Sequence, residues 1–268
     1  MSPVSALYVP GDRPDRFGKA AASGAEVVIL DLEDAVAADA KAEALANVVA
    51  HLSDPPTGPA LQVRVNAGAT HEIEAVRDSG AAVGLRLPKV EDPRELDQIA
   101  PLAGGLPLTA LIESARGLES AAAIAAHPAV REVALGEADL AGDLGSADDL
   151  VMDHARVRLV VAARAAGLEA PMLSAYPAIG DLDGLRADTE RGKSLGLRGR
   201  VAVHPRQLPV ISAVFAPSER ELAWARAVVD ALGRGGGVAT LPDGEMVDPA
   251  MLGRARRLLE RDRSAPER

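Results

Sequence analysis

Short apolar runs recur along this chain at intervals of about 30 residues, the length of one strand-plus-helix unit. The runs cover residues 6–9, 27–32, 61–66, 83–87, 108–112, 133–136, 172–174 and 201–203. Too short for buried helices and rich in Val, Leu and Ile, they read as strands buried on both faces. The intervals carry helix signals: residues 39–52 are rich in Ala, Leu and Lys, and residues 72–79 are amphipathic. Residues 93–103 open with Asp92 as N-cap and Pro93 at the first helical position. Eight such units predict an α/β protein built as a (β/α)8 TIM barrel. A doubly wound open sheet is the alternative, but no Gly-rich dinucleotide or P-loop fingerprint follows any run.

After the eighth run the rhythm breaks. Residues 205–215 and 218–232 read as helices, the second with Ser218 as N-cap and Glu221 closing a capping box. A Gly-rich break (GRGGG, 233–237), a short run at 238–241, a turn at Pro242-Asp243-Gly244 and a terminal helix over 250–260 follow, with a frayed charged tail from Arg261. The division expected is residues 1–217 as the barrel and 218–268 as C-terminal helices and an arm. That arm is too small for an independent domain and reads as a lid, or as an extension exchanged with a neighbouring subunit.

Composition narrows the function. There is no cysteine, which removes disulfides, thiolate metal sites and a thiol nucleophile together. A formal net charge of −10 and an aromatic content of 2% argue against a nucleic-acid partner, since neither a basic surface nor a base-stacking platform is available. No apolar run reaches membrane-spanning length and no charged leader precedes an apolar stretch, so a cytoplasmic protein without a membrane partner is expected.

In a barrel, reactive side chains sit at the carboxyl ends of the strands. Here Asp31, Glu33 and Asp34 follow the second run, and Arg64 and Asn66 end the third. Arg86 and Lys89 flank the end of the fourth, Glu113 ends the fifth, Asp139 follows the sixth and His204 the eighth. Glu113 and Asp139 stand just past consecutive buried runs, and a carboxylate there needs a cation or a proton. Together they could hold one Mg²⁺, which takes one or two protein carboxylates and leaves room for water and substrate. Alternatively each caps the helix that follows it. Arg64, if it faces inward, is a permanent charge suited to a carboxylate or a developing oxyanion; alternatively it pairs with Asp31 or Glu33. Glu33 and Asp34 are candidates to support Arg64 or metal-bound water from behind. Lys89 could form a Schiff base or be a surface lysine among acids. His204 could be a base or a hydrogen-bonded wall.

The segments VPGDRPDRF (9–17), VVILDLEDAV (27–36), RVN (64–66), LPKVE (87–91), LIESARG (111–117), GEADLAGDLG (136–145), VHPRQ (203–207) and EMVDPAML (245–252) occur in this order. Jointly they resemble the citrate lyase β-subunit group of the HpcH/HpaI aldolase superfamily, over nearly the whole chain. The resemblance implies a TIM barrel that assembles as a homotrimer or hexamer. It further implies a Mg²⁺-dependent lyase, with Mn²⁺ as a possible substitute, acting on β-hydroxyacyl-CoA thioesters of the citryl-, malyl- or citramalyl-CoA type to give acetyl-CoA and an α-keto acid. It assigns Glu113 and Asp139 to the metal, and Arg64, Glu113, Gly136 and Ala138 to the substrate. Arg64 and Asp248 become the catalytic pair, Asp248 arriving from a neighbouring subunit. Arg13, Arg16 and Lys19 correspond to a region that meets CoA phosphates. Two departures stand out: the group often has Gly-Ala-Glu-Asp where this chain has Gly136-Glu137-Ala138-Asp139, and Ser114 replaces a commoner Thr. The alternatives are a class II aldolase on free hydroxy-keto acids and a subunit of a larger citrate lyase-like complex.

Overall fold

Seven of the eight runs form strands: β1 Ser5–Pro10, β2 Val27–Asp31, β3 Ala60–Arg64, β4 Val83–Leu87, β5 Leu108–Ile112, β6 Val130–Leu135 and β7 Arg200–Ala202. They make one sheet, all parallel, in the order β6-β5-β4-β3-β2-β1-β7. These features come from a computed structural model that describes residues 2–54, 57–233 and 237–263. Most of the Gly-rich break and the end of the charged tail lie outside the described residues.

The seventh expected strand, at 172–174, is a correction. It contributes one parallel bridge, Leu173 to Arg200, with Leu173 N–H donating to the Gly199 carbonyl (2.8 Å) and Val201 N–H to the Leu173 carbonyl (3.0 Å). Pro171 and Pro177 bracket the segment and have no N–H to give a ladder. Toward β6 a side chain makes the link instead. The Ser174 hydroxyl donates to the Leu135 carbonyl and accepts from the Glu137 N–H (3.2 Å).

Among the described residues nine α-helices occur between and after these strands: α1 Phe17–Ala21, α2 Lys41–Leu52, α3 Thr70–Asp78, α4 Pro93–Ala103, α5 Ala115–Ala125, α6 Glu137–Leu144, α7 Asp149–Ala165, α8 Leu182–Ser194 and α9 Leu208–Phe215. The expected start of α4 is observed: the Asp92 carboxylate accepts from Arg94 N–H (2.9 Å) and Glu95 accepts from Asp92 N–H (3.1 Å). α2 starts at Lys41, after a 3-10 turn over Ala38–Ala40, and α3 starts two residues earlier than its periodicity suggests. One face of the sheet is largely apolar, Ser5 and Arg200 apart, with Val28, Leu30, Val63 and Leu85 buried there. Each such side chain contributes about 1.5–3 kcal/mol. The other face is split. Ala6, Val27, Ile29, Met172 and Val201 form an apolar cluster against Tyr8, whereas β3 to β5 present Gln62, Arg64, Arg86 and Thr109 on that side.

A second compact unit runs from Phe215 onward. It holds α10 Glu219–Gly233, the antiparallel pair β8 Ala239–Thr240 and β9 Met246–Val247, and α11 Leu252–Arg263. The capping box at Ser218 and Glu221 forms as expected. Ala225, Val228, Leu232, Leu241, Val247 and Ala255 give this unit its own small core. Among the described residues no helix is long and apolar enough to cross a membrane.

Candidate active site

Parallel pairing decides which strand-end residues meet. Asp31 is in register with Arg64, Arg64 with Arg86, and Arg86 with Thr109. In-register neighbours point to the same face, so these side chains share the polar side of the sheet. Asp31, Arg64 and Arg86 open onto a cavity of about 390 Å³ that Tyr8, Glu113, Gly136, Ala138, Asp139 and Ser174 also line. The sequence candidates Arg64, Glu113, Gly136, Ala138 and Asp139 therefore meet in one place.

Arg64 is held hard. Its Nε and Nη2 donate to the two oxygens of Asp31 (2.7 and 2.6 Å), and Nη1 donates to Asp34 (3.0 Å). Its guanidinium carbon lies 4.8 Å from the centroid of the Tyr8 ring. The ion pair weighed as an alternative role thus exists, and Arg64 reaches the cavity as well. Bidentate pairing fixes the plane of the guanidinium without consuming all five N–H groups. Glu33 is buried, and burial raises its carboxyl above the usual range despite the nearby Arg64. Its Oε2 lies 3.0 Å from Arg64 Nη1 but off the donor direction, and is a buried acceptor without a hydrogen bond.

Glu113 is not a helix cap. That role falls to Ser114, whose hydroxyl accepts from Gly117 N–H (3.1 Å) at the start of α5. Glu113 is buried, and one of its oxygens accepts from the backbone N–H of Lys89 (2.9 Å). Lys89 has φ 56°, a left-handed conformation that costs a non-glycine residue on the order of 1 kcal/mol. Gly136 has a local reason to be glycine: a Cβ there would overlap Cγ and the carboxylate of Glu113. α6 begins immediately after Gly136, which places Asp139 inside the first turn of the helix rather than before it. Among the described residues no group donates a hydrogen bond to the Asp139 carboxylate.

Burial pushes the Glu113 carboxyl up to about 7; Glu33 and Asp139 add repulsion, against the Lys89 N–H and Arg64. A divalent cation between Glu113 and Asp139 would relieve this repulsion, and Glu33 Oε2 offers an acceptor for a water on such an ion. Among the described residues no three acidic or histidine side chains could enclose a metal by themselves. The donor set is two carboxylates with open positions, which fits Mg²⁺ better than a closed structural site.

The remaining candidates are placed elsewhere. Lys89 is exposed, with Nζ 3.4 Å from Glu33, which raises its basicity; a Schiff base requires the neutral amine. His204 caps a 3-10 turn by accepting from Arg206 N–H (3.1 Å). Arg13, Arg16 and Lys19 are exposed between β1 and the end of α1, with Arg13 paired to Asp15 (3.1 Å). Asp248 belongs to the smaller unit, where it caps the turn Pro249–Met251 through Ala250 N–H (2.8 Å).

Sequence reasoning missed two parts of the site. Tyr8 supplies the ring under Arg64, and its place on the inward face of β1 is the signal that could have revealed it. The other part is an ion network. Arg156 of α7 is buried and clasps Glu137 (2.9 and 2.7 Å) and Asp188 of α8 (2.9 Å), and Arg200 of β7 also pairs with Asp188. Glu137 opens α6, so this network fixes the helix that carries Asp139. No local pattern announces it, because its members lie on four separate elements.

Comparison with known proteins gives the family of the chain. Residues 4–205 match the family described as HpcH/HpaI aldolase/citrate lyase. The chain is 38% identical over 267 residues to a (3S)-malyl-CoA thioesterase of Cereibacter sphaeroides, covering 95% of this chain and 93% of the relative. It is also 38% identical over 269 residues to a citrate lyase subunit beta-like protein of Mycobacterium tuberculosis, covering 95% and 94%. Among solved structures it resembles the protein CitE from Mycobacterium tuberculosis in complex with magnesium, acetoacetate and coenzyme A, with TM-score 0.81 and 34% identity over 98% of this chain and 99% of that one. The chain belongs to the HpcH/HpaI aldolase/citrate lyase family.

Proposed function

We propose that this protein is a Mg²⁺-dependent carbon–carbon lyase that cleaves, or forms, a β-hydroxyacyl-CoA thioester, giving acetyl-CoA and an α-keto acid. The observation that carries the reading is the pair Glu113 and Asp139, two carboxylates on one cavity with the clamped Arg64 and with Gly136 leaving Glu113 its space. The magnesium, acetoacetate and coenzyme A bound by the structural relative support it.

In this reading Glu113 and Asp139 hold the ion, which when bound acts as a Lewis acid on the oxygens of the acid portion of the substrate. Glu33 orients water at that ion. Arg64, fixed by Asp31, faces the β-oxygen, where negative charge develops as the hydroxyl proton leaves and the carbon–carbon bond breaks. A preorganised donor of this kind is worth about 3–4 kcal/mol. The hydroxyl proton passes to solvent, the bonding electrons pass to the thioester enolate, and Asp248 of a neighbouring copy, in its protonated form, delivers a proton to the enolate carbon. The sheet closes into an eight-position barrel through the 172–174 segment, the C-terminal arm packs on a neighbouring subunit of a trimer, and Arg13, Arg16 and Lys19 face the CoA phosphates.

The name of the Cereibacter relative favours a second reading, hydrolysis of the same thioester class. Product analysis separates the two. The lyase gives acetyl-CoA and a keto acid from malyl-, citramalyl- or citryl-CoA, whereas hydrolysis gives free CoA and a hydroxy acid. Turnover that survives EDTA or Glu113→Ala overturns the metal role, and unchanged turnover in Asp248→Asn overturns the assignment of the proton donor.

A further inference from the structure

Arg86 is one of four arginines buried among the described residues, with Arg64, Arg156 and Arg200. The other three each clasp at least one carboxylate: Asp31 for Arg64, Glu137 and Asp188 for Arg156, and Asp188 for Arg200. Arg86 clasps none. Its Nε donates to the neutral amide oxygen of Gln62 (3.1 Å), and its Nη1 stands 3.5 Å from the Tyr8 hydroxyl. The acid beyond Gln62 is Glu132, and that carboxylate is already paired with Arg198.

An isolated buried charge costs several kcal/mol, which proteins normally offset with a counterion. Arg86 is 3% exposed, and it lines the same cavity as Glu113 and Asp139. It stands in register beside Arg64, and both guanidinium groups approach the Tyr8 ring, at 4.8 and 5.9 Å. Arg64 already pairs with three acids, Asp31, Glu33 and Asp34; Arg86 keeps Nη2 and the rest of its fork without an anion. A planar fork of this kind matches a carboxylate in two-point geometry.

We propose that Arg86 receives a second carboxylate of the substrate acid, so that the site selects a dicarboxylic keto acid over a monocarboxylic one. This rests on the lyase reading, in which the first carboxylate lies at Glu113 and Asp139. Arg86 then sets specificity on the floor of the cavity, and the ligand supplies the counterion that the fold omits. A site arranged for a charged group discriminates strongly against the analogue that lacks it, because the buried donors are left unpaired.

The test is condensation of acetyl-CoA with oxaloacetate, pyruvate or glyoxylate in the presence of Mg²⁺, for the wild type and for Arg86→Met. The wild type is expected to favour oxaloacetate over pyruvate by about a hundredfold or more in kcat/KM, and Arg86→Met to reduce that ratio about a hundredfold. A wild-type preference for pyruvate or glyoxylate, or an unaltered ratio in the variant, overturns the proposal and leaves the lyase reading intact. If no keto acid reacts, the lyase reading fails, and calorimetric binding of malonate with Mg²⁺ decides the role of Arg86. Binding at least tenfold weaker in Arg86→Met supports the carboxylate site, and equal binding removes it. The variant is expected to melt no lower than the wild type, and a lower melting temperature with unaltered binding assigns Arg86 to the fold alone.

Discussion

The cavity has two flanks that begin from the same chemistry and end differently. On one, Arg64 is ringed by Asp31, Glu33 and Asp34, all delivered by β2 and the turn after it. On the other, one strand away, Arg86 meets only Gln62 and Tyr8. The first arrangement is preorganised: charge and counter-charge are in place before any ligand arrives, and the guanidinium cannot turn. The second is poised, with a cation desolvated by the fold and its complement left to the solvent or a ligand. Neutralised arginines organise a site, and unneutralised ones select what enters it.

The largest expected contrast between the flanks is in stability. Asp31→Ala strips Arg64 of its bidentate partner and is expected to cost about 3–5 kcal/mol in chemical denaturation, whereas Arg86→Met is expected to leave stability unchanged or to raise it. Equal losses would erase the distinction drawn between the two arginines. Next is chemistry on the acid flank: Arg64→Lys keeps the charge but loses the fork, and kcat is expected to fall about 10²–10³-fold. A Mg²⁺ titration should change little, which separates Arg64 from the two carboxylates proposed to hold the metal.

A third comparison is steric. Gly136→Ala pushes a methyl group against Glu113, and displacement of a reacting group by about 1 Å is expected to lower turnover roughly a hundredfold. The same change at Gly142, where a Cβ meets nothing within 4 Å, serves as the control. The smallest effect is in pH. With Glu113 at about 7 against an ordinary 4.5, the folded metal-free protein binds more protons than the unfolded chain between those values. Its stability therefore falls as pH rises through that window, and Glu113→Gln flattens the decline in denaturation curves measured at pH 5 and 7.5. Metal binding follows the opposite sign: Mg²⁺ needs the carboxylate, so affinity drops up to tenfold for each pH unit below 7.

Most of the larger unit is legible in local pattern. Runs of Val, Leu and Ile separated by capped helices specify β1 to β6 because strand and helix periods differ over a few residues. Asp92 with Pro93 and Ser218 with Glu221 mark helix starts because their hydrogen bonds close within four residues. The segment at 172–174 looks like its neighbours in composition, but strand formation there depended on partners on both sides, and Pro171 removes a donor. Acids and arginines at strand ends were likewise visible, so Glu113, Asp139 and Arg64 could be named together, whereas Gly136 came only with the family resemblance.

Their states could not be named. Asp31 and Arg64 are 33 residues apart and meet through parallel register, whereas Arg86 and Tyr8, 78 apart and three strands from one another, meet through the curl of the sheet. By itself the sequence determined the alternation of strands and helices, their places to within a few residues, and which polar groups stand at the carboxyl ends. The tertiary structure alone decided that Ser114 rather than Glu113 caps α5, that Gly136 clears space for a carboxylate, and that one buried arginine is neutralised while its neighbour is not. The reason is physical: propensity and capping act within a turn or a strand, whereas burial and charge pairing depend on which distant strands the sheet sets side by side.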